Sequence, residues 1–151
     1  MVNNNETGIY NVYEITLADT SMKPLTQSAK ESFFSSDYVP GTDKFIYTAD
    51  QGGNENDHLY LQSPGQPVKD LTPGAKEKAS FAGWDKNRAN LYYTSNKRDV
   101  KFFDLYKMDT SKWIAALIYK NESGLDVNTV SYNEQYLLLT KSVTTDKNEI
   151  Y

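Results

Sequence analysis

A period of 46 residues runs through this chain, and it limits the available folds more than any other feature. Lys23-Pro24-Leu25-Thr26-Gln27-Ser28-Ala29-Lys30-Glu31 is echoed 46 positions later by Lys69-Asp70-Leu71-Thr72-Pro73-Gly74-Ala75-Lys76-Glu77. Phe45-Ile46-Tyr47-Thr48 is echoed at the same spacing by Leu91-Tyr92-Tyr93-Thr94, then by Leu137-Leu138-Leu139-Thr140. A third marker is an aliphatic residue followed by Tyr: Val12-Tyr13, Leu59-Tyr60, Leu105-Tyr106 and Ile150-Tyr151, in steps of 47, 46 and 45. Each marker alone reads as a plain buried strand. Three markers holding one period describe an array of one supersecondary unit, each copy burying its apolar face on the next.

The repeated segments are strand-like. Phe45-Ile46-Tyr47-Thr48 is a short run of β-branched and aromatic residues between turn clusters, Pro40-Gly41-Thr42-Asp43 before it and Asp50-Gln51-Gly52-Gly53-Asn54 after. Gly and Asn suit the positive φ angles of tight turns. Next comes an alternating run, as in His58-Leu59-Tyr60-Leu61 and Asp104-Leu105-Tyr106-Lys107-Met108, and then a short strand ending near Leu71-Thr72 or Leu25-Thr26. Each unit therefore reads as four antiparallel strands, a to d, with strand a near 32–36, 78–83 and 126–131. The segment Thr110–Ile118 has the only weak helical pattern, but its place in the period makes it a strand d. Four short strands per roughly 40–50 residues is the pattern of a propeller blade. The expectation is an all-β partial propeller of four-stranded antiparallel blades of about 46 residues. Over residues 1–151 it forms one partial domain, with blades at 1–28 (incomplete), 29–74, 75–122 and 123–151 (incomplete). The parse runs c-d, a-b-c-d, a-b-c-d, a-b-c. A ring of four to eight blades protects strand edges that an open arc leaves unpaired. The expected native protein is therefore longer, with self-association through open blade edges as the other way to cover them.

Composition narrows the function. The chain has 151 residues, 16 basic and 20 acidic side chains, net charge −4, and no cysteine. A disulfide framework, a thiolate zinc site and a cysteine nucleophile are excluded. One histidine, His58, excludes a multi-histidine metal centre. The acidic balance argues against nucleic acid as a partner. No apolar run approaches the ~20 residues of a membrane span, so no membrane partner is expected. The start, Met1-Val2-Asn3-Asn4-Asn5-Glu6, lacks the charged and apolar regions of a secretory signal. The compartment stays open between cytoplasm and periplasm.

The stretches Thr48–Asn56, Leu59-Tyr60, Asp70-Leu71-Thr72-Pro73-Gly74, Trp84-Asp85-Lys86-Asn87, Thr94–Asp99 and Phe102–Tyr106 carry a resemblance. The repeats resemble the WD40-like blades of TolB-type proteins. They resemble still more the N-terminal propeller of prolyl oligopeptidase-family serine peptidases, which include dipeptidyl and acylaminoacyl peptidases. The resemblance runs from about Ile9 to Tyr151. It implies a non-catalytic segment that gates and scaffolds a peptidase of short peptides, with a C-terminal α/β-hydrolase domain and peptide substrates as partners. The chain has no G-x-S-x-G nucleophile elbow, so no catalytic residue carries over. The acidic pair by which some dipeptidyl peptidases hold a substrate amine has no clear match. The alternative is a TolB-like binding scaffold without enzymatic activity. A lyase or glycan-acting site on the propeller itself would need convergent ligands, which one histidine supports poorly.

Candidate sites are few. His58 stands where Asn11, Asp104 and Glu149 stand in the other repeats, and reads as a solvent-facing strand residue. Asp50, Asn54, Glu55, Asn56 and Asp57 bring oxygen ligands together, but not at the spacing of an EF-hand loop, and turn chemistry explains them. No metal or cofactor is expected. Arg98 and Lys97, in the densest basic stretch, Phe103 in an aromatic pair with Phe102, and Asn54 in the Gly-rich hairpin are the candidate ligand or partner contacts. Of Phe102 and Phe103, alternation turns one outward.

Overall fold

The computed structural model describes residues 1–144 and 147–151. Its strands are β1 (Val2–Asn4), β2 (Asn11–Ile15), β3 (Met22–Pro24), β4 (Phe34–Tyr38), β5 (Phe45–Ala49), β6 (His58–Gln62) and β7 (Lys69–Asp70). There follow β8 (Ala79–Trp84), β9 (Asn90–Asp99), β10 (Phe102–Asp109), β11 (Ile114–Tyr119), β12 (Asp126–Val130), β13 (Leu137–Thr144) and β14 (Lys147–Ile150). They form four meanders, in the orders β1-β2-β3, β4-β5-β6-β7, β11-β10-β9-β8 and β12-β13-β14. Every pairing is antiparallel. Among the described residues there is no helix. The weakly helical segment is β11, entered through Trp113 at φ 56°.

The expected a-b-c-d parse recurs in strand order, with one addition. The parse opened the chain on strand c, but β1 pairs with β2 ahead of it and occupies position b. Its sequence, Val2-Asn3-Asn4, is too short and polar to show period-2 alternation. Turn chemistry also departs from expectation. Gly41, Gly52 and Gly53 take positive φ, but no described Asn does; Thr20, Glu55, Arg88, Trp113 and Glu134 do instead. Arg88 and Glu134 close matching a–b turns, each donating its N–H back three residues, to Asp85 O at 2.9 Å and Ser131 O at 2.8 Å.

Two compact units divide the chain, Met1–Ala75 and Lys76–Tyr151. In the first, Val12, Phe45, Tyr47 and Ala49 form the core, packed by Leu25, Phe33, Tyr38 and Tyr60. Phe45, Tyr47 and Ala49 are alternate residues of β5, so they share one face. In the second, Leu91, Tyr92 and Tyr93 of β9 and Leu105, Tyr106 and Met108 of β10 are buried. Each pair of central strands carries a stacked Tyr pair at directly opposed positions: Tyr47–Tyr60 at 5.3 Å and Tyr93–Tyr106 at 5.2 Å. Aromatic cross-strand pairs of this kind stabilise a sheet by about 0.5–1.5 kcal/mol beyond area burial. The last sheet keeps the pattern but not the burial. Ile150 and Tyr151 are 72% and 56% exposed, against 1% and 8% for Leu105 and Tyr106.

Candidate functional site

In β2, β6 and β10 the polar residue before the aliphatic-Tyr pair is buried, and it ties its strand to the segment at or after strand d. Asn11 accepts from the Thr26 hydroxyl (2.9 Å) and the Ser28 N–H (2.7 Å), and donates to Ser28 O (3.1 Å). His58 sets Nδ1 2.8 Å from Asp70 Oδ2 and Nε2 3.0 Å from Gly74 O. Asp104 accepts two bonds from Arg98, Nε at 2.7 Å and Nη2 at 2.8 Å, and a third from the Asn121 N–H at 2.8 Å. The reading of His58 as solvent-facing is thus overturned, because it is 5% exposed. Polarity at this position pointed outward by alternation alone. The physical reason is that a buried polar group is stable once its partners are present. Burial pushes the Asp104 carboxyl up, but the Arg98 guanidinium and the Asn121 N–H outweigh it and hold the group below the ordinary range.

The other sequence candidates fall apart rather than together. Arg98 uses its fork on Asp104 and also donates to Asn121 O at 2.9 Å, with its guanidinium 6.0 Å from the Phe102 ring centre. Lys97 is exposed, its backbone N–H donating to the Ser95 hydroxyl. Phe103 is half-buried, as is Phe102. The expected alternation of that pair is lost because the β9–β10 register shifts between Phe102 and Asp104. Asn54 lies in the other compact unit, exposed, with its side-chain oxygen capping Asn56 N–H. In the same hairpin Asp50 caps Glu55 N–H at 2.9 Å.

Sequence reasoning missed a charged group in the second unit. Lys107 lies 2.7 Å from Glu134, 3.5 Å from Asp85 and 5.3 Å from the Tyr92 ring centre. Burial lowers the Lys107 ammonium, but its bonds to Glu134 and Tyr92 prevail and raise it above the usual lysine range. Asp85 is raised by burial and brought below its ordinary value by Asn90, the Ala89 N–H and Lys107. Of these, Asp85, Tyr92 and Glu134 border a cleft of about 500 Å³ with Trp84, Arg88 and Tyr132. Its two carboxylates, Asp85 and Glu134, are already paired with Lys107. The only sequence signal was a lysine inside an otherwise apolar alternating run.

A second group was foreshadowed by the repeat itself. Glu31 and Glu77, the last residues of the first echo, stand beside the Tyr pairs. Glu77 is 4% exposed and accepts from the Ser95 hydroxyl at 2.7 Å through one oxygen; its other oxygen has no partner. Glu31 borders a cleft of about 250 Å³ with Phe33, Tyr47, Asp50, Gln51 and Tyr60.

Comparison with known proteins accounts for this arrangement of sheets. Residues 10–147 match the family described as the dipeptidyl peptidase IV N-terminal region. The chain is 33% identical over 123 residues to dipeptidyl aminopeptidase BIII of Pseudoxanthomonas mexicana, covering 78% of this chain and 18% of that relative. It thus spans less than a fifth of the relative's length. The fold is similar to that of TolB from Acinetobacter baumannii, with a TM-score of 0.66 and 16% identity over 98% of this chain and 36% of TolB. The four meanders are blades of a partial all-β propeller, and the chain belongs to the dipeptidyl peptidase IV N-terminal region family.

Proposed function

We propose that this chain is a non-catalytic propeller segment that gates substrate access to, and scaffolds, a serine peptidase acting on short peptides. The catalytic partner is a C-terminal α/β-hydrolase domain outside this chain. In this reading residues 1–151 form a single partial domain with blades at 1–28, 29–74, 75–122 and 123–151. The observation that carries it is the match over residues 10–147 to the N-terminal region of a dipeptidyl peptidase. The side chains support it: the polar groups Asn11, His58 and Asp104 are engaged in holding sheets together. The mechanism is steric selection, in which a rigid wall of blades admits small peptides to chemistry performed elsewhere. Hydrolysis by the natural full-length product, measured on peptides of increasing length, tests it. The expected result is a steep fall in kcat/KM beyond short peptides. Equal rates on long unfolded polypeptides contradict the gate, and a natural product with no hydrolase domain contradicts the scaffold.

A second reading, a TolB-like binding scaffold without enzymatic activity, is favoured by the likeness over 98% of the chain. Capture of a stable protein or peptide partner by a natural product that lacks peptidase activity separates it from the first. Self-association is supported by the exposed Ile150 at the end of β14 and Tyr151 after it, and sedimentation of the purified chain measures it.

A further inference from the structure

We propose that the cleft at the a–b turns of the second unit, bordered by Lys86, Arg88, Trp84 and Tyr132, binds an organic monocarboxylate with an aromatic body. Four observations converge on it. First, the acidic side chains of this cleft are taken up within the chain. Asp85 accepts from the Ala89 N–H at 2.8 Å, the Asn90 N–H at 3.1 Å and the Asn90 side chain at 2.6 Å, and Glu134 meets Lys107 at 2.7 Å. Second, the basic ones are not. Lys86 and Arg88 are exposed on the same cleft, and among the described residues neither side chain meets a carboxylate. Lys86 Nζ lies 5.3 Å from the centre of the Tyr132 ring. Third, the repeat sets Arg88 apart. Thr42, Arg88 and Glu134 stand 46 residues apart at one place in three a–b turns. Thr42 donates its hydroxyl to Val39 O at 2.9 Å and Glu134 holds Lys107, whereas the Arg88 guanidinium has no hydrogen-bond partner among the described residues. Fourth, the walls are joined to each other. Glu134 is held below its ordinary value by Lys107 first, then by Tyr92, and also by the Lys86 N–H. The turn that carries both cations is thereby tied to the turn that carries Tyr132.

The chemistry of the ligand follows from these groups. A guanidinium fork matches a planar carboxylate with paired N–H donors, and an ammonium adds a point charge. Lys86, Arg88 and Lys107 stand against Asp85 and Glu134, an excess of one positive charge that a monoanion balances. A phosphate ester carries about −1.5 to −2 at pH 7, so Asp85 and Glu134 disfavour it at this range. Trp84, Tyr92 and Tyr132 supply ring surface, which suits a flat aromatic body. About 500 Å³ falls within the roughly 300–1,000 Å³ of small-molecule sites. Arg98, at the far end of β9, takes no part, and the site needs no hydrolase domain, so its test is separate from that of the gate.

The test titrates the 151-residue chain with sodium hydrocinnamate at pH 7 and constant ionic strength, reading the ring-proton NMR signals of Trp84 and Tyr132. A saturable shift of both rings is expected. Arg88→Gln should weaken binding at least about ten-fold, since the charge-assisted fork is lost. Arg88→Lys keeps the charge without the fork and should recover only part of that loss. Lys86→Gln should weaken binding about three-fold. Both side chains are exposed, and far-UV circular dichroism matching the parent shows that each variant is folded. The neutral isostere hydrocinnamamide should produce no saturable shift. No saturable shift with hydrocinnamate, an affinity undiminished in Arg88→Gln, an equal shift with the amide, or inorganic phosphate binding as tightly as hydrocinnamate overturns the proposal.

Discussion

The two four-stranded sheets are built on one repeat and solve the same problems with different residues. Both stack a Tyr of strand b on a Tyr of strand c. Both carry a buried polar residue just before the aliphatic-Tyr pair of strand c, His58 in one and Asp104 in the other. In the first sheet strand d is only Lys69–Asp70, because Thr72 turns its hydroxyl onto the Leu59 N–H at 2.9 Å and Pro73 has no N–H to extend a ladder. In the second sheet Ile118 stands where Thr72 does, and strand d runs through Ile114–Tyr119. The b–c connections diverge as well. Gly52 and Gly53 sit in an open loop between β5 and β6, whereas β9 and β10 extend to a tight turn at Val100-Lys101. The hairpin extension carries Arg98 back over Asp104. The lesson is that the period fixes which positions are buried, while the residue at each position selects a histidine–carboxylate clamp or a guanidinium–carboxylate one.

The largest way to break this comparison is Asp104→Ala. It removes a fully buried carboxylate that holds Arg98 and the Asn121 N–H, and should cost about 3–5 kcal/mol. Both tryptophans, Trp84 and Trp113, lie in the second unit, so urea unfolding followed by tryptophan fluorescence reads this loss directly. The same carboxylate makes a pH prediction. Its folded pKa is below the unfolded value, so its stabilisation is present above the unfolded pKa of about 3.9 and is lost as pH falls through the lower folded value. Unfolding midpoints measured from pH 7 to pH 2 should drop less steeply in Asp104→Asn than in the parent, with the difference confined to the acid limb.

Ser95→Ala comes next. It leaves both oxygens of buried Glu77 without partners and should cost about 1–3 kcal/mol, read by the same fluorescence. Thr72→Val keeps shape but removes the acceptor for Leu59 N–H, at about 1 kcal/mol. Faster hydrogen exchange at the Leu59 amide checks it. The smallest effect belongs to Ala49→Ser, which copies the second sheet into the first. Its hydroxyl enters the core, so a loss below about 1 kcal/mol is expected by urea unfolding followed by circular dichroism where Glu31 accepts its bond. A separate spectroscopic check concerns Tyr47, whose phenol burial pushes up to about 12. Tyr47→Phe should remove one late-ionising phenol from an ultraviolet pH titration.

Much of the architecture was legible in the residues. The apolar–aromatic runs at 45–48, 91–94 and 137–140 are strands because β-branched and aromatic side chains suit a pleated, half-buried surface, and the 46-residue period sorted them into sheets. β1 was illegible because three polar-flanked residues carry no periodicity. Arg88 and Glu134 in positive φ were illegible because nothing in their side chains favours it; the closed turn around them imposes it. The candidate sites were read less well. Arg98 was found as a basic residue in a charged hairpin, but its partner Asp104 was read as an outward strand residue. The pairing depends on how far β9 and β10 extend, which local propensity does not encode.

By itself the sequence determined the repeat, the strand-rich blade and the absence of a nucleophile elbow, because these depend on spacing and residue type along the chain. Only the tertiary structure decided that His58 and Asp104 face inward, that Arg98 serves a carboxylate, and that Glu31 borders an open cleft while Glu77 is covered. The physical reason is that burial of a polar side chain is settled by whether partners converge on it. Those partners come from residues 12 to 23 positions away for His58–Asp70 and Arg98–Asn121, brought together by strand register rather than by sequence proximity.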